Sequence, residues 1–255
     1  MSLSASGISI RFGGLVALNK VAVSVSPGEI VGLVGPNGAG KTTLFNCLTG
    51  VAQPQEGHVQ LEGQDISHLR LEHRVRLGIG RTFQTPRLDL AGSVADAVML
   101  GFYPRLRQSI LSACLPFSAA RRTEDELSAR ARALIAEFRL AADPDSPAGE
   151  LSLGHLRLLE VARALASEPR YLLLDEPAAG IDDVDRDLLA QAIRNAAGRG
   201  LGVLLVEHNV GFVAELSHRM VALVGGEVVA EGKPADVVGD PQVVAAYLGV
   251  QRVAA

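Results

Sequence analysis

The chain has 255 residues, 48% of them hydrophobic, and 24 Lys and Arg against 28 Asp and Glu, for a formal net charge of −4. That length can bury a sizeable core at the upper end for one domain, and the weakly acidic balance counts against a nucleic-acid binder held by general electrostatic attraction. Two cysteines, Cys47 and Cys114, are too few for a disulfide framework and lack metal-ligand spacing.

The opening stretch, MSLSASGISIRFGG, lacks the apolar segment of a signal peptide. The longest apolar runs, such as Leu201 to Val206, fall far short of the roughly 20 residues of a membrane helix. The expectation is a cytosolic protein, soluble by itself, that reaches a membrane only by docking on something else. Ile8 and Ile10, then Val21, Val23 and Val25, alternate with polar residues, as does His58 to Glu62. This period of two predicts antiparallel strands with one exposed face. Ile30 to Val34 is continuously apolar and runs into Gly35-Pro36-Asn37-Gly38-Ala39-Gly40-Lys41-Thr42.

From about Ser93 to Leu140 the pattern is helical. Thr123 and Glu126 have capping-box spacing before Leu127, Ala131, Leu134, Ile135 and Phe138, which share one helical face and read as core packing. Arg105, Arg107, Arg121 and Arg122 precede that stripe and read as solvated surface, with contact to a partner or to lipid headgroups as the other reading. Two further continuous runs follow: Tyr171 to Leu174, ending in Asp175-Glu176, and Val203 to Val206, ending in Glu207-His208. Continuous runs of this length mark strands covered on both faces of a parallel sheet. Such sheets bind ligands beyond the carboxyl ends of their strands, so three strands deliver glycines, carboxylates and a histidine to one edge.

The glycine-rich segment matches G-x-x-x-x-G-K-[ST] at every fixed position. Its glycines let backbone N–H groups turn toward a β-phosphate, and the next helix points its positive end at the same anion. Gly35, Asn37, Gly38, Ala39, Gly40 and Thr43 form the expected cradle. Lys41 reaches the β- and γ-phosphates, and the Thr42 hydroxyl is a ligand for Mg²⁺. Asp175 is placed to hold the metal through its water shell, and Glu176 to polarise the attacking water. The phosphate motif alone does not separate kinases, GTPases and ATPases.

Leu151-Ser152-Leu153-Gly154-His155, ahead of a helix that ends near Ala166, resembles the signature of ATP-binding cassette proteins, usually LSGGQ. The resemblance implies that Ser152 and Gly154 face the γ-phosphate held by the opposite subunit of a head-to-tail dimer. Leu153 and His155 depart from the usual pattern, and an ordinary N-cap role for Ser152 stands beside the phosphate role. Gln84, in Arg81-Thr82-Phe83-Gln84, is similar to the Q-loop residue that senses metal and γ-phosphate. Ala179-Gly180-Ile181-Asp182 resembles the D-loop, and His208 the switch histidine. Phe12 stands where that family stacks an aromatic on adenine, with a core phenylalanine as the competing reading.

Phe12-Gly13-Gly14-Leu15, GPNGAGKTTLFN, GIGRTFQ, Ser93-Val94-Ala95-Asp96-Ala97-Val98 and the terminal Ala246-Tyr247-Leu248-Gly249 resemble the ATPase subunits of branched-chain amino acid importers, a group that also serves urea and short amides. The implied fold is α/β: a P-loop NTPase core with a mostly parallel sheet, an N-terminal antiparallel β subdomain and a helical subdomain. Core and β subdomain are expected over 1–92 and 165–255, the helical subdomain over about 93–164. The resemblance also implies ATP and Mg²⁺ as ligands. Implied partners are integral membrane transporter subunits, a second cassette and a solute-binding protein, with no nucleic acid and a site of work on the inner face of the cell membrane. A soluble cassette acting in repair, translation or cluster assembly, a P-loop kinase and a regulatory nucleotide-binding module remain open at this point.

Overall fold

The computed structural model describes residues 1–82, 88–105, 117–140 and 143–253. The alternation at the start of the chain becomes β1 (Leu3–Phe12) and β2 (Leu15–Val25), an antiparallel pair that aligns Leu3 with Val25 and Phe12 with Leu15. The first continuous run is β3 (Ile30–Val34), followed by α1 (Lys41–Thr49). The chain then forms β4 (Glu56–Leu61), β5 (Gln64–Asp65), α2 (Leu71–Arg76) and β6 (Ile79–Arg81). Three helices come next, α3 (Val94–Met99), α4 (Phe117–Glu137) and α5 (Leu153–Ala166). The remainder comprises β7 (Tyr171–Asp175), α6 (Asp183–Gly198), β8 (Gly202–Val206), α7 (Val210–Leu216), β9 (Arg219–Val224), β10 (Glu227–Gly232), α8 (Pro234–Val238) and α9 (Pro241–Val253).

The chain divides into two compact units. One holds Met1–Arg81, Arg170–Glu176 and Ile193–Ala255, the other Thr82–Pro169 and Pro177–Ala192. The first unit contains a four-stranded sheet, β2-β1-β4-β5, and a six-stranded sheet, β10-β9-β3-β8-β7-β6. In the larger sheet β9, β3, β8, β7 and β6 are mutually parallel, and β10 closes one edge as an antiparallel hairpin with β9.

The three continuous runs are apolar at every position because both faces of this sheet are covered. Val31 and Leu33, Tyr171 and Leu173, Leu204 and Val206, and Val221 and Leu223 join one core with Ile8, Leu18, Val21 and Val59 of the smaller sheet. Leu44, Phe45, Cys47 and Leu48 of α1 complete that core. The intervening residues, among them Leu172, Leu174, Val203 and Leu205, are buried on the other face. There Gly32 lets α7 come close, since a side chain at this position would collide with Val213. A residue buried in this way contributes about 1.5–3 kcal/mol.

The far end of α1 is closed by Gly50, left-handed at φ 79°, and by a buried arginine. Arg74 donates from Nη1 to the carbonyls of Cys47 (2.6 Å) and Leu48 (2.8 Å), from Nε to Leu69 and from Nη2 to Ser67. A cation on the last carbonyls of a helix complements its negative end. It also anchors the helix whose other end holds the glycine-rich loop.

In the second unit α3, α4 and α5 pack together around Val94, Val98, Ala131, Ile135, Phe138, Leu158 and Val161. Ala131, Ile135 and Phe138 are the buried line of the expected stripe, with Leu127 and Leu134 half-buried beside them. The capping-box expectation is corrected. α4 begins at Phe117, so Thr123 and Glu126 lie inside the helix rather than at its start. A capping box does form at α3, where Ser93 Oγ accepts from the Asp96 N–H (3.0 Å) and the Asp96 carboxylate accepts from the Ser93 N–H.

Candidate functional site

The loop between β3 and α1 is built by glycines in conformations that side chains resist. Gly40, at the N-cap of α1, has φ 103°, and a Cβ there would collide with the Ala17 carbonyl. Gly35 has φ 154° and abuts the carbonyl of Leu223 at the end of β9. Asn37 and Gly38 form the exposed apex, Ala39 is buried beneath, Thr42 is exposed and Thr43 half-buried. Lys41 is buried under the loop, where its Nζ donates to the carbonyls of Gly35 (2.6 Å) and Pro36 (3.0 Å). Burial lowers its pKa, and the negative charges of Glu176 and Asp175 oppose that shift.

Those carboxylates stand at the carboxyl end of β7. Asp175 is 2% exposed, and burial raises its pKa against the pull of Arg81. Glu176 leaves the strand at φ 53°, in the left-handed region, with its N–H donated to Val206 of β8 (2.9 Å). A non-glycine residue held there carries strain that its surroundings must sustain. The hydrogen bond to Val206 is one such support of Glu176. The Glu176 Oε1 lies 2.8 Å from His208 Nε2, the histidine that follows β8. The glycines, both carboxylates, the lysine and the histidine thus belong to one edge of one sheet, as the three strand ends predict.

Phe12 is 57% exposed at the tip of the β1–β2 hairpin, which removes the core-residue reading. Gln84 lies outside the described residues. In the second unit Ser152 is the N-cap of α5, its Oγ accepting from the His155 N–H (3.1 Å). Gly154 is buried where a Cβ would collide with the Asp185 carboxylate near the start of α6, and His155 Nε2 lies 3.4 Å from Asp185 Oδ1. Asp182, in the segment resembling the D-loop, accepts from the Asp185 N–H (2.8 Å). Gly154 therefore has a packing reason of its own, separate from any contact with phosphate.

Two residues were read only as letters in a motif and have specific partners here. Arg81, at the end of β6, donates from Nη2 to Asp175 Oδ2 (3.0 Å), in an ion pair 7% and 2% exposed. Its Nη1 donates to Asn46 Oδ1 (2.6 Å), and the guanidinium lies 5.7 Å from the Phe45 ring centroid. Tyr247, in α9, accepts at its phenolic oxygen from the Gly35 N–H (2.8 Å). A cation closing a short apolar run was the one sequence signal for Arg81, and Tyr247 had none beyond its motif.

Cys47 is fully buried, and burial pushes its thiol up to about 11. It is expected to resist iodoacetamide in the folded protein at pH 8, where only about one thiol in a thousand is ionised, and to react once denaturant is added. Peptide mapping after alkylation checks this, and modification of Cys47 in the native protein would contradict it.

Among the described residues no group of three or more His, Cys, Asp and Glu could hold a metal by itself. A small hard cation that takes oxygen ligands, several of them from water and substrate phosphates, needs fewer protein donors. The Thr42 hydroxyl and the Asp175 carboxylate fit that need. No helix among the described residues is long and apolar enough to cross a membrane.

The family model described as "ABC transporter" matches residues 18–179, and one described as "Branched-chain amino acid ATP-binding cassette transporter" matches residues 227–252. The chain is 38% identical over 248 residues to the high-affinity branched-chain amino acid transport ATP-binding protein BraF of Pseudomonas aeruginosa, covering 97% of each. It is 40% identical over 236 residues to the lipopolysaccharide export system ATP-binding protein LptB of Acidithiobacillus ferridurans, covering 92% of each. Among solved structures it resembles an ATP-binding cassette of an ABC transporter in its ADP conformation, with a TM-score of 0.84 and 30% identity over 98% of this chain and 99% of the other.

Proposed function

Because this chain belongs to the ABC transporter family of ATPases, we propose that it powers uptake of branched-chain amino acids, or of related amides or urea, through partner membrane subunits. The observation that carries the solute class is the match of residues 227–252, the segment of β10, α8 and α9, to the branched-chain model. The 38% identity to BraF over nearly the full length of both chains agrees with it.

The mechanism follows from the site. Lys41 exchanges the Gly35 and Pro36 carbonyls for the β- and γ-phosphates of ATP, while N–H groups of the loop and of the α1 start face the same phosphates. Phe12 stacks on the adenine. Thr42, Asp175 and Gln84 would hold Mg²⁺, and the ion would supply positive charge against the phosphates. Glu176 accepts a proton from the attacking water, oriented by the His208 Nε2–H. Ser152 and Gly154 of a second cassette close the site in a head-to-tail dimer, so that ATP shuts the dimer and product release reopens it. Docked on the inner face of the cell membrane, that cycle drives alternating access for a solute brought by a binding protein.

The relative in lipopolysaccharide export supports a second reading, in which the same motor drives export. Gentle affinity purification from native membranes, with partners identified by mass spectrometry, separates the two. Co-purification of polytopic subunits with a solute-binding protein is the expected result, and that protein's ligand names the substrate. Recovery of envelope lipid-export components instead would establish the export reading. Recovery of soluble partners alone would overturn both.

A further inference from the structure

Gly35 is gripped from two sides. Its N–H donates to Tyr247 Oη (2.8 Å), and its carbonyl accepts from Lys41 Nζ (2.6 Å). Gly35, the residue that enters the glycine-rich loop, therefore lies between α9 and the lysine that must turn to phosphate. Tyr247 is itself fixed by the start of α9. Asp240 Oδ1 accepts from the N–H groups of Gln242 (2.8 Å) and Val243 (3.2 Å), Pro241 occupies the first helical position, and the Val243 side chain is buried. One and a half turns later the phenol meets Gly35. Burial raises the pKa of Tyr247, so the hydroxyl remains neutral at physiological pH.

We propose that Tyr247 is a positioning residue for nucleotide binding, through which α9 holds the entry to the glycine-rich loop in its phosphate-ready conformation. The inference rests on the loop reading above and gives a physical role to a segment that so far only carries a family resemblance. Gly35 is buried, so removing the phenolic oxygen deprives a buried N–H of its acceptor. The entry peptide then turns to find another partner, and the loop reaches its binding geometry only at a cost. That cost falls on binding ATP and ADP alike, because both present the same β-phosphate, and it leaves the carboxylates at the other strand ends untouched. A helix that acts in this way is an affinity lever: a displacement of α9 weakens nucleotide binding without touching the catalytic groups.

The test is Tyr247→Phe, which keeps the ring and its packing. Fluorescent-nucleotide titration is expected to show Kd raised about ten-fold for ATP and ADP together, the scale of an unsatisfied buried donor. KM should rise by the same factor with kcat unchanged, and Tm should fall modestly, since the same hydrogen bond is present in the nucleotide-free fold. Hydrogen exchange of the peptide containing Gly35 should accelerate in the nucleotide-free protein while other core peptides keep their protection. An unchanged Kd would overturn the proposal, whether or not Tm falls, since the contact would then be structural only. Lys41→Ala, measured alongside, must abolish binding. If it does not, the loop reading itself fails, whatever Tyr247→Phe shows.

Discussion

Replacing Glu176 by glutamine is expected to lower ATP turnover by about 10²–10⁴ while nucleotide binding persists. The range is the usual worth of a positioned general base, and the geometry says why the loss is confined to chemistry. The side chain is only partly buried, and its backbone is pinned by the hydrogen bond to Val206. Glutamine is isosteric, keeps an oxygen toward His208 and leaves Lys41 and the glycine-rich loop in place. Removing the carboxylate therefore removes the proton acceptor and little else. Steady-state phosphate release together with equilibrium nucleotide binding checks the split. Near wild-type turnover would take Glu176 out of the role, and loss of binding would show that its charge supports the loop.

Arg81→Met is expected to destabilise the fold by about 3–5 kcal/mol, the cost of removing one partner from a buried ion pair. Asp175 is 2% exposed, and its pKa is raised by burial against the opposing pull of Arg81, so losing that cation leaves a buried carboxyl group without its paired charge at Oδ2. The same guanidinium holds Asn46 of α1 and lies against Phe45. One side chain thus joins the helix after the glycine-rich loop to the strand that ends in the carboxylates. Denaturant unfolding of Arg81→Met, Asp175→Asn and the double variant closes the cycle. The double variant should lose clearly less than the sum of the two, because removing both charges removes the penalty of stranding either. Strict additivity would mean that the pair is not coupled.

The glycine-rich loop, the Asp175-Glu176 strand end and His208 were legible because each is a short run whose chemistry is written in adjacent letters. β3, β7 and β8 were legible for a related reason. A strand covered on both faces is apolar at successive positions, and that pattern is local. β6 was not read as a strand. It is three residues long and owes its conformation to pairing with β7. The start of α4 was misplaced because the Thr123–Glu126 spacing imitates a helix start, whereas the helix begins at Phe117. Capping chemistry permits a start but does not enforce one when the preceding residues also continue the helix.

The sequence by itself determined the phosphate chemistry and the family, since those depend on residue type at fixed spacing along one segment. Only the tertiary structure decided what holds that chemistry in place. Arg81 and Asp175 are 94 residues apart in the chain, and Gly35 and Tyr247 are 212 apart. Phe12 could be assigned to core or surface only once the hairpin was seen to carry it 57% exposed. Such contacts follow from strand order, which places β6 beside β7 and joins β9 to β3. Strand order is set by burial across the whole sheet, a global quantity that no local window of the chain contains.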